Sequence, residues 1–253
     1  MVSILIRYYQ NVCTVSYSMV WWSWARWERE IDWMAMNGLN FILSFTGQEY
    51  IWQKYYTWVG LTDKEIKEFF SGPAFLAWQR MGNIHGWGGP LDDGWIKKQA
   101  DLQRQITVQL RKFGMINILP GFSGHVPKGL KRVFPDANLT RSAQWGSFGA
   151  NYSEDYLLEP TDPLFSVLGK KYYEMITEEY GNDHYFNTDT YNEMDPSSKD
   201  LTFLRETNMA IYKTMASIDS DAVFVMQGWL FIFSCKYVKS ILVFLGAWLL
   251  LSH

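Results

Sequence analysis

The chain has 253 residues, 48% of them apolar and 19% charged, which is enough for one α/β domain of barrel size. Its net charge of -3 supplies no basic field for a polyanion or an anionic membrane, so neither nucleic acid nor a membrane is an expected partner. Cys13 and Cys235 are not expected to pair, and no spacing of the two Cys or four His suggests a metal or a cofactor.

In chain order, Met1 to Tyr9 is too short for a signal peptide, so a secretory form would need a leader elsewhere. Val12 to Val20 is predicted as the opening strand. Trp24, Trp27, Ile31, Met34 and Ala35 follow at helical spacing, Asn37-Gly38 has the chemistry of a C-terminal cap, and Leu39 to Phe45 is a buried strand. A second helix carries Ile96, Leu102, Ile106, Leu110 and Phe113. Gly114 closes it before a strand over Met115 to Leu119. The same grammar returns as Leu164 to Gly181 with the strand Tyr185 to Thr190, and as Leu201 to Ser217 with the strand Ala222 to Met226.

Five strands separated by helices predict an incomplete (β/α) barrel, about five strands of eight. The alternative, an open doubly wound sheet, lacks a Gly-x-Gly-x-x-Gly after its first strand. Residues 1–231 form the expected partial barrel and 232–253 a divergent hydrophobic tail. Two long polar and aromatic stretches, Thr46 to Trp95 and Gly121 to Asp162, are expected to rise over the face where barrels build their sites.

Asn192-Glu193 ends the fourth strand, so its carboxylate stands at the C-terminal lip of a parallel sheet. A retaining glycosidase would need a second carboxylate across the scissile bond. The thirteen Trp divide in two. Trp21, Trp22, Trp24, Trp27 and Trp33 read mostly as core; Trp78, Trp87, Trp145 and Trp229 fall in loops or at strand ends, where flat rings suit sugar faces. On residues alone, Cys13 is a small buried apolar group, Tyr17 and Trp229 are core or ligand alike, and His85 and His125 are loop structure. The sequons Asn138-Leu139-Thr140 and Asn151-Tyr152-Ser153 can accept N-glycans at Asn138 and Asn151.

The stretches Tyr9 to Thr14, Trp21-Trp22, Trp24 to Ala35, Gly72 to Trp78, Gly124 to Pro127 and Gln227 to Phe231 together resemble the lysosomal α-N-acetylglucosaminidases, over about residues 8 to 231. The resemblance implies a lysosomal retaining exo-glycosidase acting on terminal α-linked N-acetylglucosamine of heparan sulfate, with no cofactor. It implies that Glu193 is the general acid/base and that Asn192 contacts the sugar. Asn11, Cys13, Tyr17, Trp78, Trp145 and Trp229 would line the pocket. The family's nucleophilic Glu lies beyond residue 231, where this chain has no Asp or Glu. The resemblance also implies an N-terminal domain before the barrel and a helical domain after it. The tail from Ile232 is open to two readings, a membrane helix or translated non-coding sequence. Its uncharged part, Ser240 to Ser252, is shorter than the roughly 20 residues of a span. A polypeptide of these residues is therefore expected to be inactive, and a non-catalytic sugar-binding or interaction fragment is the alternative.

Overall fold

A computed structural model describes residues 5–227 and 248–251. Its strands are Tyr8–Tyr9 (β1), Phe41–Leu43 (β2), Ile116–Pro120 (β3), His125–Val126 (β4), Leu139–Arg141 (β5), Tyr156–Leu158 (β6), Tyr185–Asn187 (β7), Val223–Gln227 (β8) and Trp248–Leu251 (β9). Six of them form one sheet in the order β1-β2-β3-β7-β8-β9, and every neighbouring pair is parallel. Register runs through Tyr8 and Phe41, Ile42 and Asn117, Leu119 and Phe186, Phe186 and Phe224. Parallel neighbours need a crossover that a hairpin cannot provide, and from β1 to β8 each crossover includes helix. Among the described residues the sheet is open at β1 and β9, an incomplete barrel as predicted.

The helices are Val12–Tyr17 (α1), Trp24–Met36 (α2), Gln48–Val59 (α3), Asp63–Phe69 (α4), Leu76–Arg80 (α5), Asp93–Lys112 (α6), Leu130–Val133 (α7), Pro163–Tyr180 (α8) and Leu201–Ala216 (α9). The long crossovers start on acidic caps: Asp92 accepts from Trp95 N, Asp162 from Leu164 N with Pro163 at the first helical position, and Asp200 from Thr202 and Phe203 N. Each turns an apolar stripe inward, such as Trp27, Ile31 and Met34 on α2 and Phe165, Leu168, Tyr172 and Ile176 on α8. Against these stripes the sheet presents Phe41, Ile42, Ile118, Phe186 and Phe224. None of the helices among the described residues is long and apolar enough to cross a membrane.

Four expectations are corrected. The opening strand is Tyr8–Tyr9, and Val12 to Tyr17 is helical, because the Asn11 side chain accepts from Thr14 N at 2.8 Å and caps a helix that the valines alone would not specify. The stretch from Thr46 to Trp95 folds as α3, α4 and α5, with Trp78 on α5 rather than in a loop. Within 121–162 the chain makes a second, antiparallel sheet, β4-β6-β5, and His125 lies buried in its first strand. The tryptophan cluster also divides differently: Trp27 is core, but Trp21 is 61% exposed and Trp33 43%. Gln227 closes β8 and β9 lies inside the expected tail; Trp229, Cys235 and the rest of 228–247 fall outside the described residues.

Under the C-terminal face lies a buried ion pair. Glu49 on α3 and Arg80 on α5 meet through two bonds of 2.8 Å, and Arg80 Nη1 donates to Ser16 Oγ at 3.2 Å. Their side chains are 3% and 4% exposed, so the pair is desolvated and depends on its fork geometry.

Candidate active site

Asn11, Cys13, Tyr17, Trp78, Trp145, Asn192 and Glu193 come from four separate stretches and converge at the C-terminal end of the sheet. Cys13 and Tyr17 are four apart on α1, so helix formation places them on one face as neighbours. A strand would have held them roughly 13 Å apart. Tyr17 packs on Trp78 with ring centroids 5.3 Å apart, and Trp78 on Trp145 at 6.0 Å. Trp145 Nε1 then donates to Glu193 Oε2 at 3.0 Å, across 48 residues. Burial is the first cause that pushes the Cys13 thiol and the Tyr17 hydroxyl above their ordinary pKa values, and the Glu193 charge acts on both in the same direction. Asn11 sits at the rim of this wall, with Oδ1 committed to Thr14 as the helix cap.

The strand expected over Tyr185 to Thr190 stops at Asn187, so Glu193 lies in a turn beyond β7 rather than at the strand's end. Glu193 is exposed and has a φ of 52°, a conformation that a non-glycine side chain adopts only where its surroundings hold it. Several bonds hold this turn. Asn83 Nδ2 donates to the Asn192 carbonyl at 2.8 Å, and Asn192 Nδ2 returns a bond to Asn83 Oδ1 at 3.0 Å. The Thr190 carbonyl lies 2.9 Å from His125 Nε2, which must carry the proton because a carbonyl only accepts. Thr190 Oγ1 donates to the Ser123 carbonyl, and Met194 N to that of Tyr191. Gly82 allows the His125 ring to fit, since a Cβ there would meet the ring at 2.3 Å, and its φ of +75° suits glycine. Burial lowers the His125 pKa, which favours the neutral ring.

Sequence reasoning named Asn192 and Glu193 but missed the residues that brace them, Asn83, His125 and Thr190. Their partners lie 65 to 109 residues away, and no local pattern announces such pairs. It also missed Asp189 as a buried group. Its Oδ1 accepts from Tyr191 N at 3.2 Å, while Oδ2 is inaccessible to solvent and without a partner, beside a hollow of about 60 Å³ that Glu49, Arg80 and His125 also line. Burial pushes this carboxyl from the ordinary 3.8 up to about 7; the Glu193 charge adds to the rise and the Tyr191 N–H opposes it.

A raised carboxyl favours the folded state below its unfolded pKa, and that advantage disappears as pH climbs from about 4 to about 7. Asp189→Asn removes the proton exchange, so near pH 8 the variant is expected to be more stable than the parent by roughly 2–4 kcal/mol, with no such gain near pH 4. Urea denaturation across that range checks it; parallel pH profiles would show that Asp189 ionises alike in both states.

Of the sequon residues, Asn138 and Asn151 are exposed, while Ser153 is buried and its hydroxyl donates to the carbonyls of Phe148 and Gly149. His184, Asp219 and Asp221 cluster at the opposite end of the sheet, and Asp219 is already engaged by His184 and Asn182, with Asp221 N on its other oxygen.

A carboxylate in the turn beyond β7 of an open parallel (β/α) sheet, walled by two indoles in contact, fits a barrel glycoside hydrolase segment. A family profile described as the α-N-acetylglucosaminidase (NAGLU) TIM-barrel domain matches residues 7–243. The chain belongs to the α-N-acetylglucosaminidase family. It is 53% identical to the human α-N-acetylglucosaminidase over 225 residues, which are 89% of this chain and 30% of that protein. The family 89 glycoside hydrolase of Clostridium perfringens superposes with a TM-score of 0.87 at 29% identity, over 98% of this chain and 28% of the bacterial one. That enzyme has been seen with 2-acetamido-1,2-dideoxynojirmycin and, carrying two Glu→Gln substitutions, with its substrate GlcNAc-α-1,4-galactose. The chain thus spans less than a third of the length of these relatives.

Proposed function

We propose that this chain forms the acid/base side of a retaining exo-glycosidase that removes a terminal α-linked N-acetylglucosamine, with heparan sulfate as substrate and the lysosome as compartment. One observation carries the reading: the Trp145 indole N–H bonded to the Glu193 carboxylate, in the turn beyond β7 of an α-N-acetylglucosaminidase-family barrel. In this mechanism Glu193 protonates the departing glycosidic oxygen while a second carboxylate attacks the anomeric carbon. Glu193 then takes a proton from the water that releases the sugar. Trp145 holds the carboxyl in one orientation, Trp78 and Tyr17 wall the ring, and Asn192 and Asn11 offer amide groups toward hydroxyls. Residues 1–231 hold five strands of the partial barrel on this reading, and 232–253 the divergent tail, whose Trp248–Leu251 adds a sixth strand to the sheet.

The second carboxylate is the missing part. Glu49 is held in its pair with Arg80, Asp195 is paired with Lys199 at 2.8 Å, and the one solvent-inaccessible oxygen of Asp189 faces inward. A polypeptide of residues 1–253 is therefore expected to hydrolyse an aryl α-N-acetylglucosaminide no faster than its Glu193→Gln form. Binding of the sugar without turnover supports the pocket and accords with a non-catalytic fragment. Robust hydrolysis that disappears in the variant would require one of these three acids to act as nucleophile and would overturn the assignment.

A further inference from the structure

The aromatic surface does not end at Trp145. Phe148 stacks on Trp145 with centroids 5.8 Å apart and planes at 22°, Trp87 meets Phe148 at 5.0 Å and 88°, and Tyr152 meets Trp87 at 4.8 Å and 87°. Near-perpendicular rings make a corner rather than a flat patch. It bounds a hollow of about 500 Å³, within the range of small-molecule sites, whose lining also includes Ser147, Gly149 and Asn151. Trp87 and Tyr152 stay 37% and 39% exposed, so the rings are not spent on the core. Side chains at Gly146 and Gly149 would meet nothing within 4 Å, which leaves the space in front of them open.

The loop that carries Trp145, Phe148 and Tyr152 is tied down before any ligand arrives. Tyr152 N and Ser153 N donate to the Gly149 carbonyl at 2.9 and 3.1 Å, Gln144 Nε2 to that of Phe148 at 2.9 Å, and His85 N to that of Tyr152 at 2.9 Å. The His85 ring pairs with the buried Asp155. A rigid corner of rings edged by the Asn151 amide and the Ser147 hydroxyl suits a pyranose, whose C–H face stacks while its hydroxyls find polar partners at the rim.

We propose that the hollow bounded by Trp87, Phe148, Asn151 and Tyr152 is a second carbohydrate site, which takes the sugar units on the reducing side of the residue seated at Trp145 and Glu193. It rests on the function proposed above, and it makes the preferred ligand an extended glycan rather than a single sugar. The hollow begins one ring beyond Trp145, so a chain leaving Glu193 along the stacked rings enters it directly.

The test is calorimetric binding to the unglycosylated 253-residue chain, with 2-acetamido-1,2-dideoxynojirmycin as the single-sugar probe and a trisaccharide ending in α-linked N-acetylglucosamine as the extended one. The trisaccharide should bind more tightly. Trp87→Ala and, separately, Tyr152→Ala should each cost it on the order of 10- to 100-fold while leaving the single-sugar probe unchanged. Equal affinity of the two ligands for the parent, or equal loss of both in folded variants, overturns the proposal. If the single-sugar probe fails to bind but the trisaccharide binds in a Trp87-dependent way, the pocket at Glu193 is wrong: the hollow binds sugar, but its place on the reducing side of that pocket is overturned. A glycan on Asn151 offers the same chemistry from the chain itself. If protein glycosylated there loses the trisaccharide advantage and Asn151→Gln restores it, the occupant is that glycan, and the substrate assignment falls.

Discussion

Glu193→Gln, in a polypeptide that carries the rest of the barrel, is expected to slow hydrolysis of glycosides with basic leaving groups by about 10²–10⁴-fold, the range of general acid–base assistance. Substrates with activated aryl leaving groups should lose far less in the first step, because their oxygen departs without a proton. The amide keeps an oxygen that can accept the Trp145 N–H, so the wall of the pocket and the φ of 52° should persist. The loss then reports proton transfer rather than collapse. Steady-state rates on a series of aryl glycosides of graded leaving-group pKa check this, and a uniform loss across the series would remove Glu193 from the acid role.

The largest expected effect on stability belongs to Arg80. Arg80→Ala would leave the Glu49 carboxylate buried opposite an empty guanidinium position, at a cost of about 3–5 kcal/mol. Domains of this size hold only about 5–15 kcal/mol in total, so the variant should unfold at a much lower urea concentration and recover poorly on expression. Pairing it with Glu49→Gln should restore part of the loss, because the penalty lies in the unpaired charge. A single-variant cost below about 1 kcal/mol would mean that water reaches Glu49 and that the pair is less enclosed than its geometry shows.

Much of the frame was legible because it follows local rules. The strands β2, β3, β7 and β8 are apolar runs bounded by glycine, proline or polar turns, and the crossover helices repeat their apolar residues every three or four positions behind an acidic cap. The first unit misled for a local reason: Val12, Val15 and Val20 have strand propensity, yet a cap at Asn11 outweighs it, and Asn-x-x-Thr was the available signal. The capping box Thr62 to Glu65 likewise marked α4 inside a stretch expected to be loop. Glu49 with Arg80 and Asn83 with Asn192 were not legible at all. Their meaning arises only when the sheet brings together segments 31 and 109 residues apart.

The stretches that meet around Glu193, namely residues 11–17, 78–83, 145–152 and 187–193, all precede α9. Among the described residues, the proton-donating wall and most of its braces therefore lie within the first three-quarters of the chain, while Tyr191 packs on Leu204 of α9 and Asn187 donates to the Val225 carbonyl of β8. A recombination joint between Met194 and Asp200, where the backbone runs in turns before α9, would carry the proton donor across with its wall, provided the new remainder supplied an apolar partner for Tyr191 and a strand beside β7. The proton donor and its wall thus sit on one side of that joint, and what faces them across the sugar is left to the segments that follow, bound by the same seat for Tyr191.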